Sequence, residues 1–249
     1  MGTLACCERG LRADAGLIPE PTDLNVLVAA RGSFSGRITV LGRAGHSEER
    51  QPPWEEGGAV NAILKAMMIL ERLDRLNAEW AARPEKRHKY LDPDVFVPTM
   101  IRGGEWDVMY PERVDITFTS DFVPATKDIR GEIQAALDRI AAEDGWLAAH
   151  PPVIDAPGWL YGAEVREDEP IVQTASAALA DLGITPRLRG CGSLTDMVHL
   201  VNYAKVPTVS IGPSVETIHA PDEHVAINEL VQTSKALALT ILRWGQSGD

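Results

Sequence analysis

The sequence predicts an α/β protein with a smaller α+β domain inserted into it. Three observations lead there. Strand-like and helical segments alternate toward the carboxyl end, and the middle of the chain reads strand, helix, strand, strand, helix, strand. The composition, 45% hydrophobic and 24% charged over 249 residues, supports a sizeable core.

The elements follow in order. "AGLIPEPTDLNVLVAARG" contains two short apolar runs, 15–18 and 25–30, each bounded by breakers as a buried strand would be. From 34 to 41 apolar and polar residues alternate, which predicts a half-buried strand. Val60, Ile63, Leu64, Met67, Leu70, Leu73, Leu76 and Trp80 recur at helical spacing, with Pro84 just beyond the end. "DVFVPTMIR" and "RVDITFTSDFV" read as two strands joined by the turn-rich "GGEWDVMYPE". A second amphipathic helix is expected over 129–142, and "PPVIDAP" as a closing strand. This order is the split βαβ, ferredoxin-like arrangement. Beyond it come a helix over 169–182, a helix starting near Ser193 with that hydroxyl as N-cap, the buried strand "VPTVSIG", and a closing helix. That helix carries apolar residues at 227, 230, 231, 237, 238, 241 and 242. The α/β domain is therefore expected in two pieces, 1–32 and 157–249, around an inserted domain at 33–156.

Composition also excludes functions. A formal charge of −12 with no clustered Lys or Arg argues against nucleic acid as a partner. No apolar run approaches the ~20 residues of a membrane helix. "MGTLACCERGLRADAG" lacks the continuous apolar core of a signal peptide. Three cysteines, Cys6, Cys7 and Cys191, form no disulfide framework and are read as small buried residues of a cytoplasmic protein.

Three stretches could carry chemistry. "PSVETIHAPDEHVAI" places His219, Asp222, Glu223 and His224 after a strand, at the sheet edge where open α/β folds bind ligands. His219 could ligate a metal, whereas Asp222, Glu223 and His224 are read as loop and first-turn chemistry of the last helix. Glu20 stands between Pro19 and Pro21 at a strand end, a rigid setting for a metal carboxylate or simply a turn acid. His46 follows a glycine at the end of the 34–41 strand. It could donate to a substrate oxyanion or be an ordinary loop residue. Ser193 or Cys191 with His199 lacks the nucleophile-elbow pattern of a serine or cysteine hydrolase.

Taken together, "GRAGHS…GGAVNAI", "IRGGEWDVMYP", "GSLTDM" and "VPTVSIGPSVETIHAPDEHVAI" resemble, in order and over essentially the whole chain, the dinuclear zinc aminoacylase and metallopeptidase family. That family includes acetylornithine deacetylase, succinyl-diaminopimelate desuccinylase and carboxypeptidase G. The resemblance implies a ferredoxin-like lid used for homodimerisation, inserted into an α/β catalytic domain. It also implies two ions per site, zinc or else cobalt or manganese. It makes Glu20 a ligand of one metal, His219 a ligand of the other, and His46 the lid histidine that reaches the substrate of a neighbouring subunit. Asn61 and Gly212 become substrate-binding positions, Asp196 a structural residue, and Gly212–Pro213 the loop before the metal histidine.

The departures are specific. The family's His-x-Asp is absent, and the only Glu-Glu pairs, 48–49 and 55–56, lie in the lid. Val108 and Asp121 replace the family's Asn and Arg. One carboxylate and one histidine cannot hold two ions where a stable site takes three or four ligands, and the general base is missing. The expectation is therefore an incomplete catalytic sheet in the C-terminal portion of a longer hydrolase, with the missing groups before Met1. The complete enzyme would cleave an amide bond of an N-acyl amino acid or small peptide, and this chain alone would be nearly inactive. The competing expectation is a non-catalytic dimerising module derived from that family.

Overall fold

A computed structural model describes residues 2–246. In chain order the first elements are α1 (Gly2–Glu8), β1 (Gly16–Ile18), β2 (Val26–Ala30), β3 (Gly32–Leu41), α2 (Ala62–Ala82), β4 (Val95–Gly103) and β5 (Arg113–Phe122). Then come α3 (Ile129–Ala142), α4 (Gly145–Ala149), β6 (Val153–Asp155), β7 (Trp159–Leu160), β8 (Ala163–Glu164) and α5 (Pro170–Asp181). The last are β9 (Leu188–Cys191), α6 (Met197–His199), a wide π turn at Leu200–Ala204, β10 (Thr208–Ser210) and α7 (Ile227–Gln246). The chain divides into two units. One takes residues up to Gly32, His88–Asp92 and the chain from Tyr161 onward; the other takes Ser33–Arg87 and Pro93–Leu160.

The second unit is a two-layer α+β sandwich with sheet order β4-β5-β3-β6, the ferredoxin-like order. Strict alternation along β5 turns Val114, Ile116, Phe118 and Phe122 inward. They meet the apolar stripes of α2 and α3, including Ile69, Leu73, Trp80, Ile133 and Leu137. The expected end at 156 falls short of this unit because β7 adds to the sheet, pairing Ser33 with Leu160 and Phe34 with Trp159. The five residues His88–Asp92 leave it altogether. Leu91 is buried in the first unit, the Tyr90 hydroxyl donates to Glu167 at 2.6 Å, Lys89 pairs with the same carboxylate, and His88 Nε2 stands 3.3 Å from Glu164. The second unit also holds a buried polar knot. Lys86 Nζ donates to Asp94 at 2.7 Å, Thr126 at 3.0 Å and Glu132 at 2.5 Å, with Lys86 and Asp94 side chains 3% and 0% exposed.

The first unit is built on a mixed sheet, β1-β10-β2-β8, with β9 also pairing β2. β1 and β10 are parallel, Ile18 opposite Ser210. β2 is apolar and buried along its whole length, as a strand covered on both faces must be. Helix α5 buries Ile171, Val172, Ala175 and Leu179 in this unit's core.

Three expectations need correction here. The helix after Ser193 begins only at Met197, because Ser193 Oγ lies 3.4 Å from Cys191 Sγ and takes no part in a cap. Cys6 is exposed; only its neighbour Cys7 is buried, since successive residues of α1 point ~100° apart. Finally, the apolar series of α7 is not its buried face. Thr233, Ala236 and Thr240 turn inward, with the Thr240 hydroxyl returned to the Ala236 carbonyl at 2.7 Å, while Ile227, Ile241 and Leu242 are 80%, 65% and 61% exposed.

Candidate functional site

The site is built from two loops that leave the carboxyl ends of neighbouring parallel strands. Because β1 and β10 run in register, the loop after Ile18, carrying Glu20, and the loop after Ser210, carrying His219, start side by side. Backbone bonds stitch them. The N–H groups of Thr22 and Asp23 both donate to the Pro213 carbonyl, at 2.8 and 2.9 Å, and Leu24 N–H donates to the Gly212 carbonyl at 2.9 Å. Thr22, 4% exposed, is the hub of the stitch: its hydroxyl accepts from Gly212 N–H at 2.9 Å and donates to the Asn25 carbonyl at 2.8 Å. Gly212 has no room for a side chain, since a Cβ there would lie 2.0 Å from the Glu20 carbonyl oxygen. Its N–H and C=O are both used inside the stitch, so what Gly212 offers at this edge is close approach, not a free donor.

Both loops are conformationally unusual. Among the described residues five non-glycine residues have positive φ, and four of them are here: Asp23 (53°), Leu24 (54°), His219 (57°) and Asp222 (58°). Such left-handed backbone is unfavourable for residues with a Cβ and persists where surrounding bonds dictate it. His219 is exposed and Glu20 half-buried. The expectation for Asp222 and Glu223 is corrected: they lie before the last helix, which begins at Ile227 with Glu229 in its first turn. The Thr217 hydroxyl bridges the backbone of His224, donating to its carbonyl at 2.7 Å and accepting from its N–H at 3.0 Å, and so closes a separate loop over 217–224. His224 Nδ1 turns back on the Asp222 carbonyl at 2.8 Å.

In the other unit His46 is held by an isolated bridge to Met109, flanked by Ser47 N–H to the Val108 carbonyl at 2.9 Å and Tyr110 N–H to the Gly45 carbonyl at 2.8 Å. Its Nδ1 accepts the Glu48 N–H at 3.3 Å, an arrangement that assigns the neutral ring's proton to Nε2 and leaves that nitrogen as an exposed donor. Gln51 braces the loop, donating to the His46 carbonyl at 2.9 Å and accepting from Ala59 N–H at 3.2 Å. Asn61 caps α2, its Oδ1 accepting from Ile63 and Leu64 N–H at 2.9 and 3.3 Å, with only the amide nitrogen left for another partner.

Asp196 binds the Thr3 hydroxyl at 2.8 Å and lies 3.9 Å from His199. His199 is buried, and that burial holds its pKa below the ordinary value, with Asp196 opposing. Among the described residues no group of three or more His, Cys, Asp and Glu side chains could hold a metal ion. Sequence reasoning did not single out Thr22, Asp23, Gln51 and Glu229. For Thr22 and Asp23 the signal was present: both types fold their side chains onto nearby backbone in turns after proline.

Residues 28–145 match the profile of the peptidase dimerisation domain. A pyrimidine deformylase of Halalkalibacterium halodurans, acting on N-formyl-4-amino-5-aminomethyl-2-methylpyrimidine by its name, is 26% identical over 260 aligned positions, 98% of this chain and 60% of that protein. A succinyl-diaminopimelate desuccinylase of Methylobacterium radiotolerans is 27% identical, over 89% of this chain and 54% of its own length. In fold, a tripeptidase from Staphylococcus aureus superposes with a TM-score of 0.74 at 17% identity, covering 96% of this chain and 60% of that one. The chain thus spans about 60% of the length of the first relatives it matches.

Proposed function

We propose, on the premise that this chain belongs to the metallopeptidase and aminoacylase family whose dimerisation domain it carries, that it serves hydrolysis of an amide bond in a small N-acyl amino acid or peptide. The single observation that carries the proposal is the register of β1 with β10, which brings the Glu20 and His219 loops to one sheet edge. By their names the relatives above are a deformylase and a desuccinylase, and the structural neighbour is a tripeptidase, which supports an amide hydrolase.

The two-metal centre implied by that kinship does not fit the residues present. Glu20 and His219 are two donors, and a stable zinc site takes three or four protein ligands. No step is therefore assigned to a metal. Glu20 and His219 constitute half of a site, and His46, with its Nε2 proton facing outward, is suited to donate to a carbonyl oxygen as negative charge develops there.

The chain works as a homodimer through the lid. β4 is an edge strand of nine residues, with Val97, Met100 and Ile101 40%, 46% and 52% exposed. Leu64 and Met67 of α2 add exposed apolar surface in the same unit. A long unpaired strand of this kind is a template for pairing with another chain.

The test is zinc titration by calorimetry, together with an assay of the purified chain on N-formyl, N-acetyl and N-succinyl amino acids and dipeptides. Weak zinc binding that disappears in Glu20→Gln and His219→Ala, with little turnover, is the expected result. Robust turnover by the chain alone refutes the half-site; zinc binding indifferent to both substitutions refutes the assignment. The second reading, a non-catalytic dimerising module, is favoured by the lack of a three-ligand cluster among the described residues. It predicts the dimer without any zinc response at either position.

A further inference from the structure

The His219 loop has almost no regular structure between Pro213 and Ile227, yet its start is tied down from outside at three points. Pro213 receives the backbone N–H groups of Thr22 and Asp23. Ser214 N–H donates to the Glu229 carboxylate at 3.0 Å, and Val215 N–H donates to Asp23 Oδ1, also at 3.0 Å. Beyond Val215 the hydrogen bonds among the described residues are the loop's own, such as Ile218 N–H to the Val215 carbonyl at 3.2 Å. Asp23 therefore makes the last side-chain tie from the Glu20 segment to the loop before His219, three residues after Glu20 and four before His219. It does so from a left-handed backbone, φ 53°, followed by a second left-handed residue, Leu24. That pair of conformations is unfavourable for residues with a Cβ, and aspartate tolerates it better than most.

We propose that Asp23 is a positioning residue: its carboxylate, by accepting the Val215 N–H, fixes where the loop carries His219 relative to Glu20. The inference rests on the reading that Glu20 and His219 act together. It adds that their spacing is set by a neighbour that acts through the Val215 backbone. Thr22 and Gly212 join the two strand ends, and Asp23 extends that order outward to the turn leading to His219.

The experiment uses the full chain and nuclear magnetic resonance. Asp23→Ala and Asp23→Gly both remove the acceptor, the glycine variant without the left-handed penalty; Asp23→Asn keeps an oxygen in place and suits the same backbone. Loss of one such bond should speed exchange of the Val215 amide roughly five- to tenfold. It should also shift or broaden the His219 imidazole resonances in the Ala and Gly variants, with the melting temperature nearly unchanged because Asp23 is exposed. Asp23→Asn should restore both signals. Unchanged His219 resonances in the Ala and Gly variants, or an Asn variant as perturbed as they are, overturn the proposal. The zinc titration of Glu20→Gln and His219→Ala decides the underlying reading separately. Positioning by Asp23 with no zinc response would leave the tie standing and remove the half-site.

Discussion

Replacing Lys86 by Met probes the polar knot that closes the lid against its own core. The ammonium donates to three acceptors, one of which, Asp94, is fully buried. Removing one partner of a buried pair costs about 3–5 kcal/mol, because it strands the other charge. The loss should sit near the lower end. Asp94 keeps the Val123 N–H at 2.8 Å and the Thr126 hydroxyl at 2.7 Å, and Glu132 keeps Trp80 Nε1 at 2.8 Å and Arg83 at 3.0 Å. A loss of about 3 kcal/mol in a unit of this size lowers its melting temperature by about 10 °C. Tryptophan fluorescence reports it directly, since Trp54, Trp80, Trp106, Trp146 and Trp159 all lie in that unit. Asp94→Asn in the Lys86→Met background should recover at least about 1 kcal/mol, as coupled neighbours do. A shift under about 2 °C for Lys86→Met, or no recovery in the pair, would show that the knot is no more stabilising than an apolar plug.

Met100→Glu with Ile101→Lys on the exposed edge of β4 should turn the proposed dimer into a monomer by light scattering, with the fold retained by circular dichroism; an unchanged mass would refute the proposed lid interface. His199 has a folded pKa below its unfolded one, so the unfolded chain binds the extra proton. Stability is then full above the unfolded value of about 6.5 and falls as pH drops below it. His199→Phe should flatten that part of a urea-midpoint profile, and a profile of unchanged slope would count against burial as the cause. Gly212→Ala places a Cβ 2.0 Å from the Glu20 carbonyl and should destabilise the first unit by about 2–3 kcal/mol in urea titrations. Near-wild-type stability there would mean that the two loops separate easily.

The elements of the lid were legible in the sequence because its two periodicities are present, though only one of them names its buried face throughout. The alternation of β5 does so; of the α2 series Leu73, Leu76 and Trp80 turn inward, while Leu64 and Met67 are exposed and Ala62, Ala66 and Ile69 take the inward positions of the first turns. Candidate site residues were legible as types: a carboxylate between prolines at a strand end and a histidine after a Gly-Pro turn. What joins them was not. The pairing of β1 with β10 links residues about 190 positions apart, and no local pattern encodes a partner at that distance.

Helix α7 shows the limit most plainly. Its apolar spacing established that it is a helix, yet its inward face is Thr233, Ala236 and Thr240. Helix periodicity follows from the backbone and can be read locally, whereas the face that turns inward depends on the shape of its neighbour. Beside the buried alanines of α5, small residues pack closest. The same division holds at the candidate site. Sequence determined which groups are available, Glu20, His219 and His46, and that a three- or four-ligand centre is not among them. Tertiary structure alone decided that two of those groups share a sheet edge, through a hydroxyl, a carboxylate and a glycine too crowded to be anything else.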